Sequence, residues 1–379
     1  MENFDTTCVH PLKEENFNGA VTSGIYPAVA YDYLDHKSLQ YPGFYSTYNQ
    51  QRLGQIICNL EQGKWGMVFS SGMAAISTAI LSFITNNDHI IFSKDLYGGT
   101  LKFANEELPK RGVQCSFANN TSESFRSLLQ KNTKIIYIET PSNPLLSIIS
   151  LTEIAAIAKE HNIITIIDNT FASPINQLPL LHGIDISVHS GTKYLGGHND
   201  LPYGALVSNN PEHKEIIYNT AKMYGGSLTP YECYMAERSL KTLALRISRQ
   251  NENTERIAQF LQTNSAIKQV YYPGLSSHPN HHIAAQQMKG FGGMVSFELD
   301  TDLSGIDTFQ RNLQLISPAL SLGGVESLIC SPVFTSHRYL TRDERIAIGI
   351  NDNLLRLSVG IEDANDLISD LQQAIEKTL

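Results

Sequence analysis

The chain has 379 residues, and its 28 Lys+Arg against 37 Asp+Glu give a formal net charge of −9 and a pI near 5.7. That acidic balance argues against a general polyanion binder, which needs a Lys/Arg-rich face, so nucleic acid is not an expected partner. With 42% hydrophobic and 17% charged residues the composition excludes a disordered chain, and no stretch reaches the roughly 18 consecutive apolar residues of a membrane span.

The opening Met1-Glu2-Asn3-Phe4-Asp5 lacks a basic segment followed by an apolar one, so a soluble, cytoplasmic protein without a membrane partner is expected. Up to residue 47 no periodicity is sustained, and Tyr, Pro and Gly are frequent. Such a segment is either disordered or an arm that orders against a partner subunit, and the tyrosines favour the arm. Short apolar runs at 65–69, 89–92, 134–138, 163–167, 184–188 and 203–207 then alternate with longer helical patterns. Among these are helices over 73–84 and over 151–161, the latter capped by Ser150 or Thr152. Several runs are apolar on both faces, as buried parallel strands are, and the lengths between them suit crossover helices; the fold class is α/β.

Beyond residue 230 the pattern changes to a long helix over 231–261, runs at 293–299 and 354–359, and a final helix over 364–378, which together suggest a smaller α+β domain. The expected organisation is an arm at 1–47, a larger domain at 48–230 and a C-terminal domain at 231–379. His278-Pro279-Asn280-His281-His282 follows the turn signal Tyr272-Pro273-Gly274 and reads as a polar surface loop, so no metal site is expected. The five cysteines, Cys8, Cys58, Cys115, Cys233 and Cys330, are scattered, form no C-x-x-C pair and read as reduced thiols.

Three stretches carry chemistry. In Phe69-Ser70-Ser71-Gly72-Met73-Ala74-Ala75 an apolar strand passes through small residues into a helix, a turn whose unpaired N–H groups and helix dipole suit a phosphate. Neither G-x-G-x-x-G nor G-x-x-x-x-G-K-[ST] is present there, so dinucleotide and nucleoside triphosphate binding lose support. Asp168 ends an isoleucine-rich run, at the sheet edge where ligands of open parallel sheets sit, half-buried and in need of a cation. Lys193 follows the next run, flanked by the hydroxyls of Ser190 and Thr192, which have protons to donate to phosphate oxygens; its sharpest interpretation is a Schiff-base lysine. A phosphate cradle, a carboxylate for a pyridine nitrogen and a strand-end lysine are together the parts of a pyridoxal 5′-phosphate (PLP) site.

The chain also closely resembles the trans-sulfuration (Cys/Met metabolism) family of PLP enzymes over nearly its whole length. The matching blocks are FSSGMAA (69–75), DLYGGT (95–100), IETPSNP (138–144), DNTFASP (168–174), HSGTKYLGGH (189–198), LKTLALR (240–246), SLGGVESL (321–328) and RLSVGIED (356–363), of which HSGTKYLGGH is the most specific. The resemblance implies the fold type I PLP-dependent transferase architecture: a mostly parallel central sheet, a smaller α+β C-terminal domain and an N-terminal arm. It implies that Lys193 carries the cofactor, Asp168 pairs with the pyridinium nitrogen, Tyr97 stacks on the ring and Asn143 reaches its phenolic oxygen. Gly72, Met73, Ser190 and Thr192 bind the phosphate, with Thr170 among the cofactor contacts. Arg356 and Ser321 hold the α-carboxylate of a small amino-acid substrate, Lys193 also moves the Cα proton, and Tyr97 and Tyr45 complete the catalytic group. A homotetramer built from dimers follows, because the family's active site borrows the arm of a neighbour.

Departures from the family bear on the arm and on substrate choice. Many members have Tyr-x-Arg in the arm, whereas Tyr45-Ser46-Thr47 lacks the arginine and Arg52 is the nearest alternative. Lys102 stands where several cystathionine enzymes have an arginine, keeping the charge and losing the planar fork. Leu320 stands where γ-branch members often have glutamate, and a leucine offers nothing to a distal ammonium, which favours a small apolar or thiol-bearing distal group. The methionine γ-lyase branch has a cysteine where this chain has Gly99. The resulting expectation is β/γ-elimination, a C–S lyase reaction, on cystathionine or a related cysteine or homocysteine derivative. The alternatives are γ-replacement, as in cystathionine γ-synthase or an O-acylhomoserine sulfhydrylase, and a non-catalytic PLP-binding scaffold.

Overall fold

A computed structural model describes residues 3–12, 17–34, 38–336, 338 and 341–378. The larger of its two sheets has seven strands: β1 (Trp65–Phe69), β2 (His89–Ser93), β3 (Gln114–Ala118), β4 (Thr133–Glu139), β5 (Ile164–Asp168), β6 (Ile186–Ser190) and β7 (Gly204–Ser208). Their order is β1-β7-β6-β5-β4-β2-β3. The run from β6 to β3 is parallel, and β7 is antiparallel to both its neighbours. Every residue of β2 and β7 is buried, as expected of strands covered on both faces. Parallel pairing sends the C-terminal ends of β4, β5 and β6 to one edge, where Glu139 lies opposite Asp168 and Asp168 opposite Val188.

Edge strand β3 is absent from the sequence expectation because only Ala118 of its five residues is buried, so it has no continuous apolar run. Helix α1 (Phe4–Val9) and helix α2 (Tyr48–Leu60) also lie where no helix was expected. The arm is therefore not uniformly irregular: Cys8 of α1 is buried in the same core as Leu53 and Ile57 of α2. Farther along, Val21, Val29, Tyr33, Leu34 and Leu39 are exposed, and the segment is tied down by Tyr26 N–H donating to Asn49 Oδ1 (3.0 Å) and by Asn49 Nδ2 donating to Gly24 O (2.9 Å).

Helix α3 (Gly72–Leu81) follows β1, and α4 (Leu151–His161) is capped by Ser150, whose hydroxyl accepts from Glu153 N–H at 3.4 Å. The single helix expected over 231–261 is two, α5 (Pro230–Leu240) and α6 (Leu243–Thr263). The break is stabilised by Arg246, whose guanidinium donates to Ser239 O (3.1 Å) at the end of α5, which also accepts from Thr242 N–H (3.2 Å), and to Tyr194 O (2.7 Å) and Leu195 O (3.4 Å).

The second sheet holds β8 (Ile267–Tyr271), β9 (Met294–Leu299), β10 (Ser317–Pro318), β11 (Leu328–Cys330) and β12 (Leu354–Ser358), in the order β10-β11-β12-β9-β8. Its apolar face packs on Ile257 and Leu261 of α6 and on Leu367 and Leu371 of the final helix, Ala364–Glu376. The histidine cluster is not simply a surface loop: His278 is buried, and His281 starts the helix His281–Gln287. Among the described residues no helix is long and apolar enough to cross a membrane, and no group of three or more His, Cys, Asp or Glu is placed to hold a metal ion.

Candidate active site

The turn from β1 into α3 supplies the first wall. Ser71 caps the helix, its hydroxyl accepting from Ala74 N–H at 3.1 Å, which leaves the N–H groups of Gly72 and Met73 at the first helical positions, where no intrahelical acceptor exists. Gly72 is required by close approach: a Cβ there would lie 2.8 Å from Ser190 Cβ on β6. Ser190 N–H in turn donates to Thr170 Oγ1 (2.8 Å), locking the ends of β5 and β6 together. The hydroxyl of Thr192 is less available than the sequence suggested, because it donates to Tyr203 O (3.2 Å) and accepts from Tyr203 N–H (3.1 Å).

Asp168 is almost fully buried, not half-buried, and its Oδ1 accepts from Thr170 N–H at 3.0 Å. Burial pushes its carboxyl above the usual aspartate range, against the hydrogen bonds from Thr170. No lysine or arginine pairs with it among the described residues. Its neighbour Glu139 is also buried, and burial together with the charge of Asp168 pushes that carboxyl well above the normal glutamate value. Two adjacent buried acids at a ligand edge call for a cation, and a protonated pyridine nitrogen fits that demand. The helix N-terminus beside Ser190 fits the phosphate of the same molecule.

Lys193 lies in the turn after β6, its N–H donating to Ser190 O (3.1 Å) and its Nζ donating to Ser321 Oγ (2.9 Å). Burial, then the charge of Arg356, lowers its pKa, the direction a nucleophilic or basic lysine needs. Arg356 arrives from β12 of the other sheet. Its guanidinium donates to Asn143 Oδ1 (2.9 Å) and to Ser321 O (3.1 Å), and it helps hold Ser321 at a φ of 97°, a conformation unusual for a non-glycine residue.

Gly72, Met73, Tyr97, Asn143, Asp168, Thr170, Ser190, Thr192, Lys193, Leu320, Ser321 and Arg356 all line one cavity of about 540 Å³. Glu139, Ile76, Phe171, Leu322, Thr335 and Ser336 line it as well and were not singled out from the sequence. Behind the edge, Glu61 at the end of α2 accepts from His189 Nε2 (2.5 Å) and from Asn169 Nδ2 (2.9 Å), a buried weld between β5, β6 and that helix with no signature in residue spacing.

Two expected site residues lie outside the cavity. Lys102 is exposed and pairs with Glu106 at 3.9 Å, because its place at the end of the short helix Gly98–Lys102 directs it along the surface. Tyr45 is buried against Phe69, and its hydroxyl donates to Gly225 O. It borders a separate cleft of about 920 Å³ that also includes Arg52, Lys214 and Lys222 and holds none of the residues just described. Thr47 is turned to helix capping, with Gln50 Oε1 accepting from its N–H (3.3 Å) and its hydroxyl (2.9 Å), while Arg52 is ion-paired with Glu237 at 3.1 Å.

Comparison with known proteins agrees with this chemistry. The sequence model of the Cys/Met metabolism PLP-dependent enzymes matches residues 5–376. The chain is 41% identical to the cystathionine β-lyase of Lactococcus lactis subsp. cremoris (strain MG1363), covering 100% of both chains. It is 43% identical to the cystathionine γ-lyase of Bacillus subtilis (strain 168), over 94% of this chain and 95% of that one. Among solved structures, cystathionine γ-lyase from Lactobacillus plantarum in complex with L-serine superposes with a TM-score of 0.94 at 37% identity, covering 100% of this chain and 99% of that one. The chain therefore belongs to the family of Cys/Met metabolism PLP-dependent enzymes.

Proposed function

We propose that this enzyme is a PLP-dependent C–S lyase that removes the sulfur-bearing substituent of a cysteine or homocysteine derivative by β/γ-elimination. The observation that carries the proposal is the convergence of Asp168 at the end of β5, Lys193 in the turn after β6 and Arg356 from β12 on one cavity. When bound, the cofactor supplies an electron sink for the charge left when the Cα proton departs. Asp168 holds the pyridine nitrogen protonated, which its burial favours because the pair is then neutral overall. Gly72 and Met73 N–H groups and Ser190 bind the phosphate, Tyr97 covers the ring, and Asn143 and Thr170 complete the contacts. Arg356 offers a planar fork to the substrate carboxylate, with Ser321 beside it, fixing which Cα bond faces the lysine. Lys193, with its lowered pKa, takes the Cα proton at Nζ and returns a proton later in the reaction.

The cavity's substrate end narrows the choice. Among the described residues its lysine and arginine lining is Lys193 and Arg356 alone, and Leu320 stands exposed at its mouth. With Lys102 directed elsewhere, these lining residues offer a distal carboxylate no further cation, which favours small thiol or thioether substrates over cystathionine. Product analysis tests the proposal. Release of an oxo acid, ammonia and a thiol or sulfide from cysteine, homocysteine or cystathionine is expected. No release from any of them, together with thioether formation from an O-acylhomoserine and a thiol, would establish γ-replacement instead.

The two sheets, one within 65–208 and the other within 267–358, support a division of the chain near residue 230. The exposed apolar residues of the arm support a homotetramer in which Tyr45 serves a neighbour's cavity, and sedimentation of an active monomer would exclude that assembly. Unpaired cysteines support a cytoplasmic location.

A further inference from the structure

We propose that Glu139 is a positioning residue of this site: by accepting from the backbone N–H of Tyr97, it fixes the ring of Tyr97 against the cofactor. The inference rests on the PLP assignment above and assigns a role to an acid that the sequence motifs leave without one.

Glu139 ends β4 and is itself held, its N–H donating to Ser93 Oγ (3.2 Å) at the end of β2. From that fixed point its Oε2 accepts from Tyr97 N–H at 2.7 Å, tying the loop after β2 to the end of β4. Tyr97 needs the clamp, because its side chain is half-exposed and it sits at the start of a five-residue helix whose first turn has no side-chain cap. Its ring lies across Gly99, where a Cβ would come within 2.5 Å of Tyr97 Cε1 and 3.1 Å of Met73 Sδ, so a small shift of the Tyr97 backbone would swing the ring. A second acid beside Asp168 is electrostatically unfavourable in a purely structural acceptor. The acids that face Glu139 are Asp168 from β5 and Asp95 from the loop after β2, both of which disfavour its charge, so the clamp acts through hydrogen bonding and not through attraction of the cofactor.

The test is a double-mutant cycle on cofactor binding, read by PLP titration and by the visible circular dichroism of the bound cofactor. Glu139→Ala is expected to weaken PLP binding at least tenfold and to halve the dichroic band, with far-UV dichroism retained. In a Tyr97→Ala background the same substitution is expected to weaken binding at least threefold less. Should Glu139→Ala not fold, Glu139→Gln, which keeps the shape and one acceptor oxygen, enters the same cycle with a smaller effect of the same pattern. Wild-type binding and dichroism in the variant, or losses that simply add in the double variant, would overturn the role. A wild-type protein that develops no visible band with PLP would instead overturn the cofactor assignment on which the role depends.

Discussion

The two walls of the cavity are built differently. One is made of strand ends: Glu139, Asp168 and Ser190 terminate adjacent parallel strands, and the first two are buried and locked in register. The other is made of loops from the second sheet, where Leu320 is exposed, Ser321 adopts a positive φ, and Arg356 is the one cavity residue that belongs to a strand. Groups that must meet the cofactor at fixed angles sit on the rigid wall, and the substrate-facing Leu320, Ser321 and Arg356 sit on the other. The difference predicts that substitutions on the first wall abolish chemistry, while those on the second weaken substrate binding.

The sharpest break should come from Lys193→Ala. Loss of a positioned acid/base typically lowers kcat by about 10² to 10⁴-fold, and here the covalent anchor goes too, so steady-state assays should show at least the upper end of that range. Arg356→Lys keeps the charge and loses the fork. A charge-assisted hydrogen bond contributes about 1.5–3 kcal/mol, so KM should rise roughly tenfold to a hundredfold, with kcat less affected.

A third effect concerns stability. Glu139 has a carboxyl raised by burial and by Asp168, so the folded state holds a proton that the unfolded state has already released. Its contribution is neutral below the unfolded glutamate value and becomes increasingly unfavourable as pH rises toward the folded value. The apo-protein of Glu139→Gln should therefore gain stability relative to wild type as pH rises above about 4.3; equal pH slopes in urea titrations at pH 5 and pH 7 would contradict the raised carboxyl. The smallest effect should be that of Lys102→Ala, whose exposed ion pair is worth about 0–1 kcal/mol; less than a twofold change in kcat/KM is expected on any substrate.

The same contrast explains what was legible in the sequence. Buried strands such as β2, β4 and β5 announce themselves because both faces must be apolar, and the residues at their ends follow from that. Lys193 and Asp168 were visible for this reason even before a family resemblance was considered. Edge strand β3 has no such constraint and left no run to read. Glu139 lies inside a recognisable block, IETPSNP, but nothing in its spacing shows that its carboxyl accepts from the backbone N–H of Tyr97 in a distant loop. The fate of Lys102 depends on helix phase and on Glu106 one turn away, and that of Thr47 on a capping partner at Gln50. Both are three-dimensional choices between equally plausible sequence readings. The split between α5 and α6 was likewise hidden, since it depends on Arg246 reaching back to a carbonyl of the preceding helix.

The central claim is that the strand-end wall holds the cofactor through Lys193, and it is tested most directly by borohydride reduction of the PLP-loaded enzyme followed by peptide mapping. The account predicts a pyridoxyl adduct on Lys193, abolished in Lys193→Ala. An adduct on a different lysine, or none on the wild-type protein, would contradict it.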